Sequence, residues 1–182
     1  RFAGPLGTLT PEIITNTALI VANNGVDFGD APPSFPNLSV DPHGEGAQHA
    51  LNANGLHLGA GVSADANGKE SPDANLDNFD DGILLNPVIA GDTASTVTIL
   101  SSGSGFIDAW MDFNGDGDWD DPGEKILSSH AVVAGANSVS FLVPPNVAVG
   151  NIAARFRLSS AGGLSATGKA ADGEVEDYLV TV

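Results

Sequence analysis

The feature that most constrains this chain is a two-residue rhythm that keeps being interrupted. "STVTIL" (95–100) puts Val97 and Ile99 on one face, and "GFIDAWMDF" (105–113) does the same with Ile107, Ala109, Met111 and Phe113. "NSVSFLV" (137–143) aligns Val139, Phe141 and Val143. "NIAARFRLS" (151–159) sets Ile152, Ala154, Phe156 and Leu158 against Arg155 and Arg157, and "VEDYLVTV" (175–182) aligns Tyr178, Val180 and Val182. Successive side chains of a strand point to opposite faces, so this alternation marks strands with one buried face. Turn residues separate the runs at intervals of roughly 8–12 residues, the spacing of an all-β sandwich or barrel. No long segment carries a 3.6-residue period. Residues 83–182 are therefore predicted to form an antiparallel β-sandwich, jelly-roll or immunoglobulin-like, with little helix.

The remainder is less regular. Residues 27–82 are rich in Asp, Asn, Gly and Pro, with short apolar pieces such as "LHLG" (56–59). A structureless stretch of this length is unusual in a compact domain. It reads as an irregular, ligand-tied half of one domain spanning 27–182. Residues 1–26 form an arm in which "TNTALIVANNG" (15–25) reads as a strand ending in an Asn-Gly turn. Two readings of the arm stand. It is a linker or the domain's own first strand, or it is a donor strand that adds to the sheet edge of another copy and builds a fibre.

Charge narrows the partners. The chain has 23 acidic and 6 basic residues, a formal charge of -17. Such a surface repels nucleic-acid phosphates and anionic membranes and attracts cations. No apolar stretch approaches the roughly 18 residues of a membrane-spanning helix. Neither nucleic acid nor membrane insertion is expected. With no cysteine, disulfides and thiolate metal sites are excluded, and bound metal is one way to staple a secreted domain. The chain opens on Arg1 rather than Met, and a signal peptide is expected to have been removed.

The negative charge is concentrated in loops. In "DFNGDGDWDDPGE" (112–124), Asp112, Asn114, Asp116, Asp118 and Asp120 fall at alternate positions, with Gly117 at the sixth. That is the oxygen-donor spacing of an EF-hand-type calcium loop. The glutamate usual at the twelfth position is replaced by Gly123, with Glu124 one later, and "FIDAWM" before the loop reads as a strand. A calcium loop on a β-hairpin is expected. Hard oxygen donors favour calcium over zinc or copper. Further acidic groups, expected to share cations, are Asp27 and Asp30; Asp65, Asn67, Asp73, Asp77, Asp80 and Asp81; and Asp172, Glu174, Glu176 and Asp177. More than one Ca²⁺ is expected, each offsetting two negative charges.

Other residues admit plainer roles. His43 and His49 could frame a zinc site with nearby aspartates, but a structural histidine bonded to a carboxylate is the expected role. Arg155 and Arg157 are expected to pair with carboxylates such as Glu174 or Asp177. Trp110 and Trp119 are either a sugar-stacking platform or sheet-edge packing. There is no Gly-x-Ser-x-Gly elbow and no His-Glu-x-x-His. Paired carboxylates at calcium-loop spacing are poor proton donors once a metal holds them, so no enzymatic activity is expected.

Several stretches together resemble the bacterial GEVED domain: "DFGDAP" (27–32), "HALNANGLHLG" (49–59), "DNFDDGI" (77–83), "AWMDFNGDGDWDDPGEKI" (109–126), "ARFRLSS" (154–160) and "ATGKAADGEVEDYLV" (166–180). The resemblance covers about 27–182 and implies an extracellular module of secreted or surface-anchored proteins, held to bind calcium, with no catalytic residues. Lys169 departs from the pattern, where the family often has Glu. The expected function is a non-catalytic, calcium-stabilised structural or adhesive module outside the cell or on its surface, with copies of itself as partners if the arm is a donor strand. The alternative is a carbohydrate-binding accessory domain for surface glycans, which requires Trp110 and Trp119 to face solvent. A hydrolase using the clustered carboxylates is the third reading.

Overall fold

The computed structural model describes residues 25–39, 45–52, 55–86 and 88–182. Residues 1–24 of the expected 1–26 arm, and His43, lie outside the described residues. Ten strands and no helix occur among the described ones: β1 (Val26–Phe28), β2 (Gln48–Ala50), β3 (Ile83–Leu85), β4 (Ser95–Ser101), β5 (Gly105–Met111), β6 (Lys125–Val132), β7 (Gly135–Phe141), β8 (Asn151–Ser159), β9 (Lys169–Ala170) and β10 (Glu174–Thr181). They form three sheets, ordered β10-β8-β5-β6, β3-β4-β7 and β1-β2-β9. All pairings are antiparallel except β2 with β9. The chain is all-β, as its rhythm predicts.

The five alternating runs fall on β4, β5, β7, β8 and β10. Strand β6 escaped that reading for a physical reason. Its register against β5 shifts between Ile107 and Trp110, and Ser129 takes a positive φ of 45°. A bulge inserts a residue and breaks the two-residue period, so Leu127 and Val132 are both buried although five residues apart.

The four-stranded sheet and the β3-β4-β7 sheet share one apolar core. Val97 and Ile99 of β4, Val139 and Phe141 of β7, Ile107 and Met111 of β5, and Ala154, Phe156 and Leu158 of β8 all join it. Burying each large aliphatic or aromatic side chain there contributes about 1.5–3 kcal/mol. The opposite face of the four-stranded sheet is covered as well. Strand β8 is buried on both sides from Ile152 onward, and its second face presents Ala153, Arg155 and Arg157. A smaller apolar cluster of Ala31, Phe35, Trp110, Trp119 and Ala153 lies there.

Both arginines are fully buried, and each has all five N–H donors engaged. The Nε and one terminal nitrogen of Arg155 grip the Asp177 carboxylate at 2.8 and 2.7 Å. Its remaining donors reach the carbonyls of Pro36 and Ala166 and the Asn37 side chain, and its guanidinium lies 4.5 Å from the Trp119 ring. Arg157 departs from the expected carboxylate pairing. It donates to His49 Nε2 at 2.9 Å and to the carbonyls of Ser165, Thr167, Gln48 and Gly168. Pro36, the start of β2 at Gln48 and the 165–168 segment are thus clamped to the four-stranded sheet through their own backbone oxygens. Gly29 lies so close to the Arg155–Asp177 pair that a Cβ there would collide with both side chains.

Replacing Arg155 by Met strands a buried carboxylate. The expected cost is about 3–5 kcal/mol, read as a lower urea midpoint with an unchanged slope.

Candidate metal centre

Three aspartates from separate segments meet beside β1. Asp27 sits within β1 and is fully buried. A bridge from Val26 to Asp65, closed by the Asp65 amide on the Val26 carbonyl at 2.8 Å, brings the second. Asp77 is the third, its Oδ1 accepting the Ser63 hydroxyl at 3.2 Å. One carboxylate oxygen from each lies within 4.8 Å of the others. Oxygens that share a calcium ion at 2.3–2.6 Å lie at most about 5 Å apart, so the donor set fits that ion.

Hydrogen bonds leave the cluster incomplete. Asp27 Oδ2 accepts the Val175 amide at 2.8 Å, but its Oδ1 is buried with no partner. Asp65 has one oxygen 3.5 Å from Lys69 Nζ and the other buried and unpartnered. Asp30 and Asp80 adjoin the group and repeat the pattern. Asp30 Oδ2 accepts the amides of Leu76 and Asp77 and Asp80 Oδ1 accepts that of Asp177, while the second oxygen of each is an orphan. A buried polar atom without a partner costs free energy, and a buried anion costs more. Lys69 is half exposed, and a solvated ion pair of this kind contributes little.

The electrostatics point the same way. Burial pushes the Asp27 carboxyl well above its usual range, and Asp77 adds to the effect. Burial followed by repulsion from Asp177 lifts Asp30 to about 6. Asp65 is raised by burial and then by Asp77. Asp80 is pushed up to about 10 by burial, with Asp177 and Asp30 adding to it. Without a cation these groups can coexist only by taking up protons.

The strand β10 string is used differently from its aspartate neighbours. Glu174 Oε2 accepts the Leu58 amide at 2.5 Å. Glu176 Oε1 accepts those of Asp81 and Gly82, and its Oε2 accepts the Tyr178 hydroxyl. Burial raises Glu174 to about 11 and Glu176 to about 7. Asp177 holds Arg155 and accepts the Ala31 amide at 2.9 Å. Asp172 Oδ1 caps the Ser160 amide. Asp81 Oδ1 accepts the Ala60 amide, Asn67 Oδ1 that of Ser39, and Asp73 is exposed. These residues tie backbone to backbone and lie outside the three-aspartate group.

The 112–124 loop joins β5 to β6, the expected hairpin. Asp112 accepts the amides of Gly115 and Asp116 on one oxygen and Gly117 on the other. Gly117 has φ +94°, the turn that alternate inward donors require. Glu124 is buried and accepts the amides of Phe113 and Asp121. The carboxylates that converge are Asp116, Asp118 and Asp121, all exposed. Asp120 does not join them; its amide caps Asp118. Strict alternation selects Asp120, but the chain turns at Pro122 and Gly123, so Asp121 faces the group instead. The Asn114 amide nitrogen donates to Asp116 and Asp121.

His49 serves Arg157. Its Nδ1 lies 2.8 Å from the Asp172 carbonyl and its Nε2 accepts from Arg157, which fixes the Nδ1-protonated tautomer. Burial and the nearby Arg157 charge push its pKa well down. Both nitrogens are committed, which excludes the zinc reading at this residue. Trp110 and Trp119 are buried at 4% and 5% exposure, against the solvent-facing platform that stacking on sugars requires. Trp119 packs on Phe35 with ring centroids 4.1 Å apart, and Lys125 sits over Trp110. Sequence reading also missed Asp108. Fully buried on β5, it accepts the amides of Ser129 and Leu164 and pairs with Lys125 at 2.8 Å. Lys169 pairs with exposed Glu45 at 2.9 Å.

The arrangement defines a class: an all-β sandwich whose irregular half is gathered around buried carboxylates. Residues 106–181, from the second residue of β5 to the end of β10, match the GEVED domain family. No curated protein and no solved structure matches the chain.

A carboxyl whose folded pKa exceeds its unfolded value binds protons more tightly in the native state, so stability falls as pH rises between the two values. Asp30 at about 6 and Glu124 and Glu176 at about 7 set the lower part of the window at about pH 4–7, and Asp80 at about 10 and Glu174 at about 11 carry it on toward pH 11. Chelator-treated protein is expected to melt at a higher temperature near pH 5 than near pH 8. Saturating calcium should flatten or reverse that order in the same melts.

Proposed function

We propose that the chain is a non-catalytic structural or adhesive module outside the cell, held in shape by calcium and built into surface fibres by N-terminal strand addition. The carrying observation is the Asp27–Asp65–Asp77 group, Asp27 buried and the other two half-buried, in which one oxygen each of Asp27 and Asp65 is buried without a partner. A divalent ion there supplies the missing partners and offsets the repulsion among the aspartates. It also joins β1 to the 65 and 77 turns, so residues 25–82 and the sandwich act as one unit. The exposed Asp116–Asp118–Asp121 group is a second and weaker cation site. Extracellular calcium modules typically bind in the 10⁻⁴–10⁻³ M range, which suits a protein that meets millimolar calcium outside the cell. The burial of Trp110 and Trp119 disfavours the glycan-binding alternative.

Stepwise calcium addition to the metal-free protein should raise the melting midpoint progressively, because an ion that binds only the native state adds its binding free energy to folding. Magnesium should not match the effect, since it demands a tighter octahedral shell and keeps its waters. Asp27→Asn/Asp65→Asn is expected to abolish most of the rise, whereas Asp116→Asn/Asp118→Asn should remove only a minor part. No shift at millimolar calcium would overturn the reading.

A further inference from the structure

Among the described residues, the sandwich is open along one side. β3 and β10 are outer strands of the two facing sheets, and a cavity of about 550 Å³ lies between them. Ile83, Val88 and Val180 are buried along it, while Leu85, Tyr178 and Val182 pack against the core yet stay partly exposed. No residue lining this groove has a charged side chain. The β10 edge changes character along its length. Its first outward amides, on Val175 and Asp177, are capped by the carboxylates of Asp27 and Asp80. Alternation turns the amides of Leu179 and Thr181 to the same side, where the groove opens and no carboxylate among the described residues caps them. A capped edge blocks strand addition, and an uncapped apolar one invites it.

The occupant follows from charge and reach. Residues 1–24 contain one Arg and one Glu, so they carry no formal charge and approach an acidic copy without repulsion. Within them, "TNTALIVA" (15–22) is an apolar, β-branched run with Leu19 and Val21 on one face and Ala18 and Ile20 on the other. The run cannot enter the groove of its own domain whole. β1 lies beside β10 and runs in the same direction, since Asp27 meets Val175 and Ala31 meets Asp177. Gly25 therefore lies level with Gly173, about 16 Å short of Tyr178 at 3.3 Å per residue. Ala22 and Val21 are three and four Cα steps from Gly25, reaches of at most about 11 and 14 Å, so only residues 15–20 of the same chain can come level with Tyr178, whereas a second copy can seat the whole run.

We propose that the β3–β10 groove accepts residues 15–22 of a second copy as an added strand, which completes the apolar core and pairs with the free edge. The contact is head-to-tail, so repetition gives an open filament. The inference rests on the fibre reading above and adds the acceptor site to it.

The test uses the calcium-loaded full chain, which has no native cysteine. Leu85→Cys is mixed under oxidising conditions with Leu19→Cys or with Ile20→Cys, as separate proteins, because one parity of the strand faces the groove. One of the two mixtures should give a disulfide-linked mixed dimer, about tenfold above the yield with a Val133→Cys control, as expected from the effective concentration of a docked segment. Yields equal to the control, in protein that still assembles by light scattering, would overturn the groove and leave the fibre reading intact. Closure of the double variants Leu19→Cys/Leu85→Cys and Ile20→Cys/Leu85→Cys within single chains would overturn the second copy. Failure of the unmutated chain to assemble in calcium would overturn the fibre reading itself, and the acceptor site with it.

Discussion

The structure depends on how two guanidinium groups are kept inside it. Arg155 and Arg157 stand on the second face of a strand that is buried on both sides. Leaving either charge buried without partners would cost several kcal/mol. The solution is exhaustive hydrogen bonding: ten N–H groups meet one carboxylate, one amide side chain, one imidazole and carbonyls from two loop segments and the start of β2. Those carbonyls come from backbone that makes little sheet of its own. The arginines therefore act as the ladder that the irregular half lacks, and the arrangement explains how residues with little strand or helix pattern pack against a sandwich.

The carboxylates form the complementary half of the same design. Each buried acid at the β10 edge closes a loop onto the sheet: Asp27 on Val175, Asp80 on Asp177, Glu174 on Leu58, Glu176 on Gly82. Each accepts with one oxygen or both, and the second oxygens of Asp27 and Asp80 are buried without a partner. Hydrogen bonds alone balance the arginines but not the acids. The surplus negative charge is what a cation would offset, so the acids that shape the fold also form the proposed ion site.

Much of the architecture was legible in the sequence. The alternation in "NIAARFRLS" gave the bounds of β8, and the five strong runs gave most of the sandwich. β6 was not legible, because a bulge against β5 erased its period. In the candidate site, the membership of Asp27, Asp65 and Asp77 could be read from composition as acidic residues in loops, but their convergence could not. Asp77 lies 50 residues from Asp27 in the chain, and only the bridge at Val26 and the turn at 76–77 bring them together. Asp120 and Asp121 show the same limit at short range: spacing picks the first, and the turn after them decides for the second.

The sequence by itself determined the sheet class, the pattern of inward faces, the hairpin position of the 112–124 loop and the surplus of acidic charge. These follow from local periodicity and counting, which need no long-range contact. The tertiary structure decided which acids face one another, that Arg157 is held by His49 and carbonyls instead of a carboxylate, that both tryptophans are buried, and that the seam between β3 and β10 stays open. Each of these depends on how segments distant in sequence pack, and burial sets the cost of every charge and the partner it must find.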